Sequence, residues 1–309
     1  MTKPLFTEEK FAVKLDRISK SYNDIKVVDQ FSVDIENGQI FGLLGPNAAG
    51  KTTIMRILCG LIDPDDGQIT IQGLNTEDAK AQFGYVAQHF AQYEELTVWE
   101  NIQFYAQIYG VTDEPHLHEL LSRYQLVNFK DKRAGNLSGG YQRKLALVCA
   151  LTHDPQVIFL DEPTAGIDPV SRKRLWDDFY DLSQKGKCLF ITTHYMEEAQ
   201  RCHQLAFIAK GKTIATGSPT TIKKSLGRVQ VLTANIDYHP QLQDVLSAHP
   251  GMLLVHQFGS QIRMIMKPEI LVSELKELFT KYLSERIVLQ DGELNLEDVF
   301  IALTQQLDT

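Results

Sequence analysis

The stretch IFGLLGPNAAGKTTIMRIL, residues 40–58, joins a continuous apolar run to a glycine-containing loop and then to a segment with helical apolar spacing. The loop, Gly45 to Thr52, fits the pattern G-x-x-x-x-G-K-[ST]. In such a loop, backbone N–H groups and the positive end of the following helix bind phosphate, the lysine reaches the terminal phosphates and the hydroxyl binds Mg²⁺. The stretch therefore predicts an α/β fold of the P-loop NTPase class, with Lys51 and Thr52 in these two roles.

The segments on either side of this stretch extend the α/β pattern. From Val13 to Ile40 short runs alternate apolar and polar residues between turn residues, which predicts an antiparallel β subdomain. Residues from about 90 to 155 have helical apolar spacing, and we expect apolar positions such as Ile102 and Ile108 on one face of a helix. Apolar runs at 157–160 and 188–191 with a helix between them predict buried parallel strands.

The pattern of apolar and polar residues changes after Gly227. Strand-like runs and amphipathic helices follow in the order strand, helix, strand, strand, helix, strand, which matches a ferredoxin-like α+β unit. The strands are expected at 229–232, 252–255, 262–266 and 287–289, and the helices at 242–246 and 271–283. We therefore predict a nucleotide-binding domain over 11–227, with its helical subdomain at about 90–155, and a small accessory domain over 228–309.

Two carboxylates follow directly on the apolar run VIFL at 157–160. Asp161 and Glu162 thus stand at the carboxyl end of a buried strand, where sheets of this class bind their ligands. Together with the phosphate loop upstream, they predict an aspartate that orients Mg²⁺ and a glutamate that polarises an attacking water. Two acids after a strand are by themselves more often a solvated strand end.

A second glycine-rich helix start follows Leu137. Ser138 is a suitable N-cap for the helix GGYQRKLALVCAL, and Gly139 and Gly140 leave backbone N–H groups open to an anion. Plain helix capping is the commoner use of these residue types. Two phosphate-type sites in one chain nevertheless point to a particular arrangement of motifs.

The composition of the chain excludes several classes of protein. Its 309 residues are 43% apolar and 23% charged, as in ordinary globular proteins, and the net charge of −8 gives no support to a nucleic-acid partner. The four cysteines lack C-x-x-C spacing, which favours a reduced, cytosolic compartment. The charged N-terminal stretch is unlike a signal peptide, and no apolar run approaches the roughly 18 residues of a membrane span, so we expect any membrane part to be another polypeptide.

From Val13 to about Gly227 the sequence resembles the ATP-binding cassette (ABC) family. Residues Gly45 to Thr52 resemble the Walker A loop of that family, LSGGY from Leu137 to Tyr141 resembles its signature, and VIFLDEP resembles its Walker B motif. All seven family elements occur in family order. The other four are an adenine-stacking aromatic, a glutamine that links Mg²⁺ and water to the helical subdomain, the aspartate of the D-loop and a switch histidine, here Tyr22, Gln88, Asp168 and His194.

The resemblance implies a set of roles for individual residues. The catalytic group is Glu162, His194, Gln88 and Lys51, and the Mg²⁺ ligands are Thr52, Gln88 and Asp161. ATP contacts are implied for Tyr22, Gly45, Pro46, Asn47, Ala48, Ala49, Gly50, Lys51, Thr52, Thr53, Ser138, Gly139, Gly140 and Asp168. Because family signatures cover the nucleotide held by another subunit, the resemblance also implies a homodimer bound to a separate multi-span permease at the cytoplasmic face of the membrane.

Three further strings look like ATPase subunits of the second ABC exporter type: LTVWENIQFYAQIYG (96–110), TTHYMEEAQ (192–200) and LEDVFIALT (296–304). They favour export of drugs, polysaccharides or lipids. The alternatives are a non-transport ABC ATPase module, an importer ATPase whose tail senses solute, and a purely structural nucleotide-binding protein, which Glu162 argues against.

The chain departs from the family pattern at two positions. Position 48 of the loop is alanine where the family habit is glycine, although alanine has less access to positive φ. Tyr141 stands where the signature usually has glutamine. Because Ser138 and the two glycines are retained, we expect an active protein.

Overall fold

The computed structural model describes residues 10–283 and 287–307. Residues 1–9, the start of the stretch compared with signal peptides, lie outside this part, as do residues 284–286 and 308–309 of the predicted accessory domain. Contacts divide the chain into two compact units, Met1–Thr213 and Ile214–Thr309. This division falls before the change of sequence pattern after Gly227, and the domain boundary at Gly227 stays a prediction.

A three-stranded antiparallel sheet opens the first unit. Its strands are β1 (Phe11–Tyr22), β2 (Ile25–Glu36) and β4 (Asp66–Ile71), in the order β2-β1-β4. Asn23 and Asp24 join β1 to β2 with φ of 47° and 64°. Positive φ at both central residues is the geometry of a tight hairpin turn, and asparagine and aspartate tolerate it better than other side chains.

A six-stranded sheet carries the loops of interest. Its order is β5 (Phe83–Val86), β6 (Val157–Asp161), β7 (Cys188–Thr193), β3 (Ile40–Leu44), β8 (Gln204–Ala209) and β9 (Lys212–Gly217), and the pairs from β5 to β8 are parallel. Every residue of β3, β6 and β7 is buried, which explains the apolar runs at 40–44, 157–160 and 188–191. Because parallel strands end at one edge, the loops after β3, β5, β6 and β7 meet there.

Helices fill the remainder of the first unit. They are α1 (Lys51–Leu58), α2 (Val98–Ile108), α3 (Glu114–Arg123), α4 (Gly139–Leu151), α5 (Pro169–Gln184) and α6 (Met196–Ala199). Short 3-10 helices span Asp78–Ala81, Val127–Phe129 and Ala134–Asn136. Ile102 is buried but Ile108 is 60% exposed, so the prediction that they share one face is wrong. Six residues correspond to about 240° around a helix, which places the two side chains on different faces.

The second unit contains the predicted alternation of strands and helices. After α7 (Pro219–Lys224) come β10 (Gln230–Asn235), α8 (Pro240–Ser247), β11 (Met252–Phe258), β12 (Gln261–Met266), α9 (Val272–Tyr282), β13 (Leu289–Asp291) and α10 (Leu296–Gln305). The antiparallel sheet has the order β11-β12-β10-β13, as in a ferredoxin-like unit. The last strand begins two residues later than expected, and α10 was not predicted.

Candidate functional site

The phosphate loop lies between β3 and α1, as its sequence predicts. Lys51 is buried, and its Nζ donates hydrogen bonds to the carbonyl oxygens of Gly45 (2.8 Å) and Pro46 (3.1 Å). Burial lowers the pKa of Lys51, and the nearby carboxylates of Glu162 and Asp161 oppose that shift. The loop therefore holds an ammonium group beside two acids at the end of the sheet.

Two glycines of the loop are required by its close packing. A Cβ on Gly45 would lie 2.3 Å from the carbonyl oxygen of Ile208, and one on Gly50 would lie 2.6 Å from that of Val27. Gly50 also has a φ of 108°. Ala48 has a φ of 63°, the left-handed conformation in which a Cβ is unfavourable, so the alanine in place of the family glycine is strained.

The Glu162 carboxylate is the point at which three loops converge. Gln88, which follows β5, donates from Nε2 to Glu162 Oε2 at 3.0 Å. His194, which follows β7, places Nδ1 3.4 Å from the same oxygen, and Lys51 Nζ lies 3.7 Å from Oε1. The structure thus brings together all four side chains predicted as catalytic.

The backbone of Glu162 is unusual. Its φ is 45°, a left-handed conformation for a residue with a long side chain. Its N–H donates to Thr192 Oγ1 at 2.9 Å, and the Thr192 hydroxyl in turn donates to Asp161 Oδ1. Thr192 therefore fixes both acids of the pair, a contact that the sequence did not indicate.

The electrostatics of the pair suit a hydrated cation. Burial raises the pKa of Asp161, which the hydrogen bond from Thr192 opposes. The predicted metal ligands Asp161, Thr52 and Gln88 offer oxygen atoms, which Mg²⁺ prefers. A carboxylate that is buried against its own neighbour gains from a nearby positive charge. The residues present therefore fit Mg²⁺ bound together with a nucleotide phosphate.

Arg143, on α4, was missed by the sequence reasoning. Its two terminal nitrogens donate to the carbonyl oxygens of Ala87 (2.6 Å) and Gln88 (2.5 Å). Burial lowers its pKa, and Asp161 and Glu162 oppose that shift. Arg143 thus ties the helix that begins after Ser138 to the backbone of the residue that contacts Glu162.

The signature and the D-loop line one cavity of about 330 Å³. Ser138, Gly139 and Gly140 form one side of it and Asp168 the other. Ser138 occupies the N-cap position of α4, but its side chain makes no capping hydrogen bond. Asp168 caps α5 by accepting from the N–H groups of Val170 and Ser171, and the bonds from Ser171 lower its pKa.

The remaining predicted contacts surround the loop less closely. Tyr22 ends β1 at the hairpin; the residue is 44% exposed, and Lys20 Nζ lies 6.0 Å from its ring centroid. Asn47 and Thr52 are exposed and Thr53 is half-buried. Ala49 is buried, and its carbonyl oxygen accepts from Gly211 N at 3.2 Å. Tyr22 thus belongs to the strand pair that passes the loop at Val27, and its contact with adenine stays a proposal.

Comparison with known proteins identifies the family. Residues 28–165 match the family model described as "ABC transporter". The Nod factor export ATP-binding protein I of Burkholderia pseudomallei (strain K96243) is 35% identical over 302 residues, which cover 94% of this chain and 96% of that protein. The chain belongs to the ATP-binding proteins of ABC transporters. The family resemblance seen in the sequence is thereby confirmed.

Other members of this ABC transporter family are similar over about two thirds of the chain. The probable multidrug ABC transporter ATP-binding protein YbhF of Escherichia coli (strain K12) is 35% identical over 219 residues. That match covers 68% of this chain, and the chain spans only 38% of the length of YbhF. A solved structure of an ATP-binding subunit of an ABC transporter superposes with a TM-score of 0.65 and 28% identity, over 70% of this chain and 93% of that one. The P-loop fold class is confirmed.

Proposed function

We propose that this ABC protein hydrolyses ATP in a dimer of two such subunits and so drives export through a separate membrane subunit. The observation that carries the proposal is the convergence on Glu162, whose carboxylate lies within 3.0 to 3.7 Å of Gln88, His194 and Lys51. A structural nucleotide-binding protein has no need of a general base among these three groups. A hydrolase needs all of them in one place.

The chain's own groups supply the binding of ATP. Lys51 binds the terminal phosphates, for which it exchanges its two bonds to loop carbonyl oxygens. The loop N–H groups and the start of α1 bind the same phosphates. Thr52, Asp161 and Gln88 would hold Mg²⁺, which neutralises phosphate charge when it is bound. Tyr22 is assigned to the adenine ring.

The hydrolytic step is assigned to the convergence point. Glu162 accepts a proton from the attacking water, and Gln88 and His194 orient that water and the leaving oxygens through hydrogen bonds. The Thr192 bond to the Glu162 N–H holds the base in its left-handed conformation during the reaction. Lys51 stabilises the charge that develops on the transferred phosphoryl group.

The second subunit is inferred from the signature. A Cβ on Gly139 would meet no atom within 4 Å, so contacts within the described chain do not require glycine there. The Ser138 side chain makes no capping bond, although serine at this position ordinarily caps. Both features are expected where a phosphate from another subunit approaches the start of α4.

The membrane partner is inferred from exposed apolar residues and from the relatives. No helix in the described part of the chain is long and apolar enough to cross a bilayer. Tyr93 and Ile108 are exposed, and Tyr93 packs edge-on against Phe104 at 4.8 Å between ring centroids. We assign this apolar strip to contact with a permease at the cytoplasmic membrane face. The name of the Burkholderia relative supports export.

The decisive experiment compares Glu162→Gln with Lys51→Ala. Glutamine keeps the size of the side chain but cannot accept the proton, so hydrolysis should fall by about 10²- to 10⁴-fold while ATP binding persists. The variant should then accumulate as an ATP-bound dimer. Lys51→Ala should lose ATP binding and remain monomeric. Phosphate release and size-exclusion chromatography with Mg-ATP measure both halves.

Two results would contradict the proposal. Near-normal hydrolysis by Glu162→Gln would remove the base from its role, and equal elution volumes for the two variants would remove the dimer. Affinity capture from detergent-solubilised membranes tests the permease separately. Repeated recovery with partners that span no membrane would favour a non-transport ATPase.

A further inference from the structure

A buried carboxylate outside the family motifs lies beside the convergence point. Glu198 belongs to the short helix α6 and is only 1% exposed. It lies in the string TTHYMEEAQ, of which only Thr192 and His194 have been given a role so far. A buried carboxylate is costly unless it is well bonded, so its partners indicate what it does.

Each oxygen of Glu198 accepts from a different loop. Thr193 Oγ1 donates to Oε2 at 2.7 Å, and Thr164 Oγ1 donates to Oε1. The Thr193 hydroxyl also accepts from the N–H of Tyr195 at 3.0 Å, so its own proton is directed at Glu198. The carboxylate therefore bridges the end of β7 to the loop that follows β6.

These two threonines are neighbours of the reacting groups in the chain. Thr193 directly precedes His194, and Thr164 follows Glu162 by two residues. The His194 side chain is 37% exposed, so packing alone does not fix it. Its 3.4 Å approach to Glu162 depends on the backbone on either side of the bridge.

A third element reaches the same carboxylate. Arg172 on α5 has its Nε 3.9 Å from Glu198 Oε1, and this Nε is buried without a hydrogen-bond partner in the described residues. Its guanidinium also lies over the Tyr195 ring, 4.9 Å from the centroid. Arg172 thus places a positive charge near the buried carboxylate, and α5 begins directly after Asp168 of the D-loop.

We infer that Glu198 is a positioning residue for hydrolysis, which sets His194 against Glu162 by holding Thr193 and Thr164 on one carboxylate. The inference rests on the proposed hydrolytic function. Displacements of about 1 Å between reacting groups lower rates by about a hundredfold, so a bridge between their two loops is under direct functional demand. Glu198 touches neither water nor phosphate in this role.

The test measures kcat and KM for three variants and a matched control. Glu198→Ala should lower kcat by about 10- to 100-fold, as for other residues that orient a reacting group, and change KM little. Glu198→Gln should retain most of the activity because its amide can bond both hydroxyls. Thr193→Val, which removes only the arm beside His194, should reproduce the loss. Glu197→Ala, an exposed residue of the same helix, should match the unchanged protein.

A double variant separates positioning from general support of the fold. If Glu198 acts through His194, then Glu198→Ala with His194→Ala should be no slower than His194→Ala alone. Multiplied losses, or an unchanged kcat in both Glu198→Ala and Thr193→Val, would overturn the inference.

A spectroscopic measurement is independent of turnover. The NMR signal of the His194 ring, assigned by its absence from His194→Ala, should shift in Glu198→Ala and Thr193→Val but not in Glu197→Ala. An unshifted signal would also overturn the inference. A failure of the unchanged protein to hydrolyse ATP would refute the proposed function alone, and the ring signal would still decide the role of Glu198.

Discussion

Positive φ occurs at two positions of the phosphate loop, and only one of them is glycine. Gly50 has a φ of 108° and Ala48 one of 63°. The Cβ of an L-residue in this conformation costs roughly 1–2 kcal/mol, which glycine avoids. Ala48 is thus a local strain that the surrounding contacts of the loop maintain.

Ala48→Gly should therefore stabilise the protein. The relief is partly offset by the greater freedom of glycine in the unfolded chain, so we expect a net gain of about 1 kcal/mol or less in the free energy of unfolding. ATP affinity should stay within about tenfold. Denaturant unfolding and nucleotide titration measure the two quantities. Ala49→Gly is the control: Ala49 is buried without positive φ, so this change should destabilise.

Gly139→Ala probes the signature without disturbing the fold. Since a Cβ at this position meets open space and alanine favours helices, thermal stability should be unchanged or slightly higher. Hydrolysis and ATP-dependent dimer formation should fall, because the added methyl group would stand where the partner's phosphate approaches. Gly50→Ala is the contrast and should lose stability through its clash with Val27. Normal hydrolysis by Gly139→Ala would argue against a shared nucleotide.

The sequence predicted the residues that meet at Glu162 but not those that hold them there. Lys51, Gln88 and His194 could be named because motif spacing or family order marks them. Arg143 and Glu198 could not, because Arg143 binds backbone oxygens 55 or more residues away and Glu198 binds the hydroxyl of Thr164, 34 residues away in the chain. Single-sequence patterns carry no information on such pairings.

At the scale of elements, Arg143 links α4 to the segment that follows β5. Arg143 bridges two successive carbonyl oxygens, and its planar fork matches that geometry. The end of α4 that carries Ser138 is thereby coupled to Gln88. We expect a displacement of this segment, for example by the proposed membrane subunit, to reach the signature through this bridge.

Arg143→Lys should test the bridge. Lysine keeps the charge but cannot span both oxygens in the same way, so we expect kcat to fall by about tenfold or more with ATP affinity little changed. Steady-state hydrolysis and nucleotide titration measure both. Arg123→Lys, which alters an ion pair with Asp181 on the surface, should have no effect. Equal rates for the two variants would show that the bridge is unimportant.

Helix α10 was not predicted, although the sequence contains a signal for its first turn. It begins with a capping box in which the Asn295 side chain accepts from Asp298 N and the Asp298 side chain accepts from Asn295 N. Asp298 also binds Arg263, with Nη2 at 2.6 Å, and His256 at 3.2 Å. The LEDVFIALT string that suggested an exporter thus caps and anchors a helix, and the cap was a signal available in the sequence.

At the scale of the whole molecule, the chain divides into two units, each with a hydrophobic core of its own. The parallel sheet was predictable because buried strands read as continuous apolar runs. The boundary between the units was harder to predict, because it falls inside strand β9 (Lys212–Gly217). The sequence pattern changes only after β9 and α7 have ended.

A chain ending at Gly227 should therefore keep ATP binding, because the phosphate loop and the residues around Glu162 all precede it. Nucleotide titration of the shortened protein, with its Lys51→Ala counterpart as the control, measures this. Loss of binding in a shortened protein that still melts cooperatively would contradict the division of labour between the units.

Because the backbone of Glu162 is left-handed, the residue proposed for activity at this position is not the one that would give the greatest stability. Glycine or asparagine would relax that conformation and recover part of roughly 1–2 kcal/mol, while removing the proposed general base. Selection for heat resistance or expression yield alone should therefore favour substitutions at position 162 that inactivate the protein. Engineering a hardier version of this protein requires that every round of selection also score phosphate release.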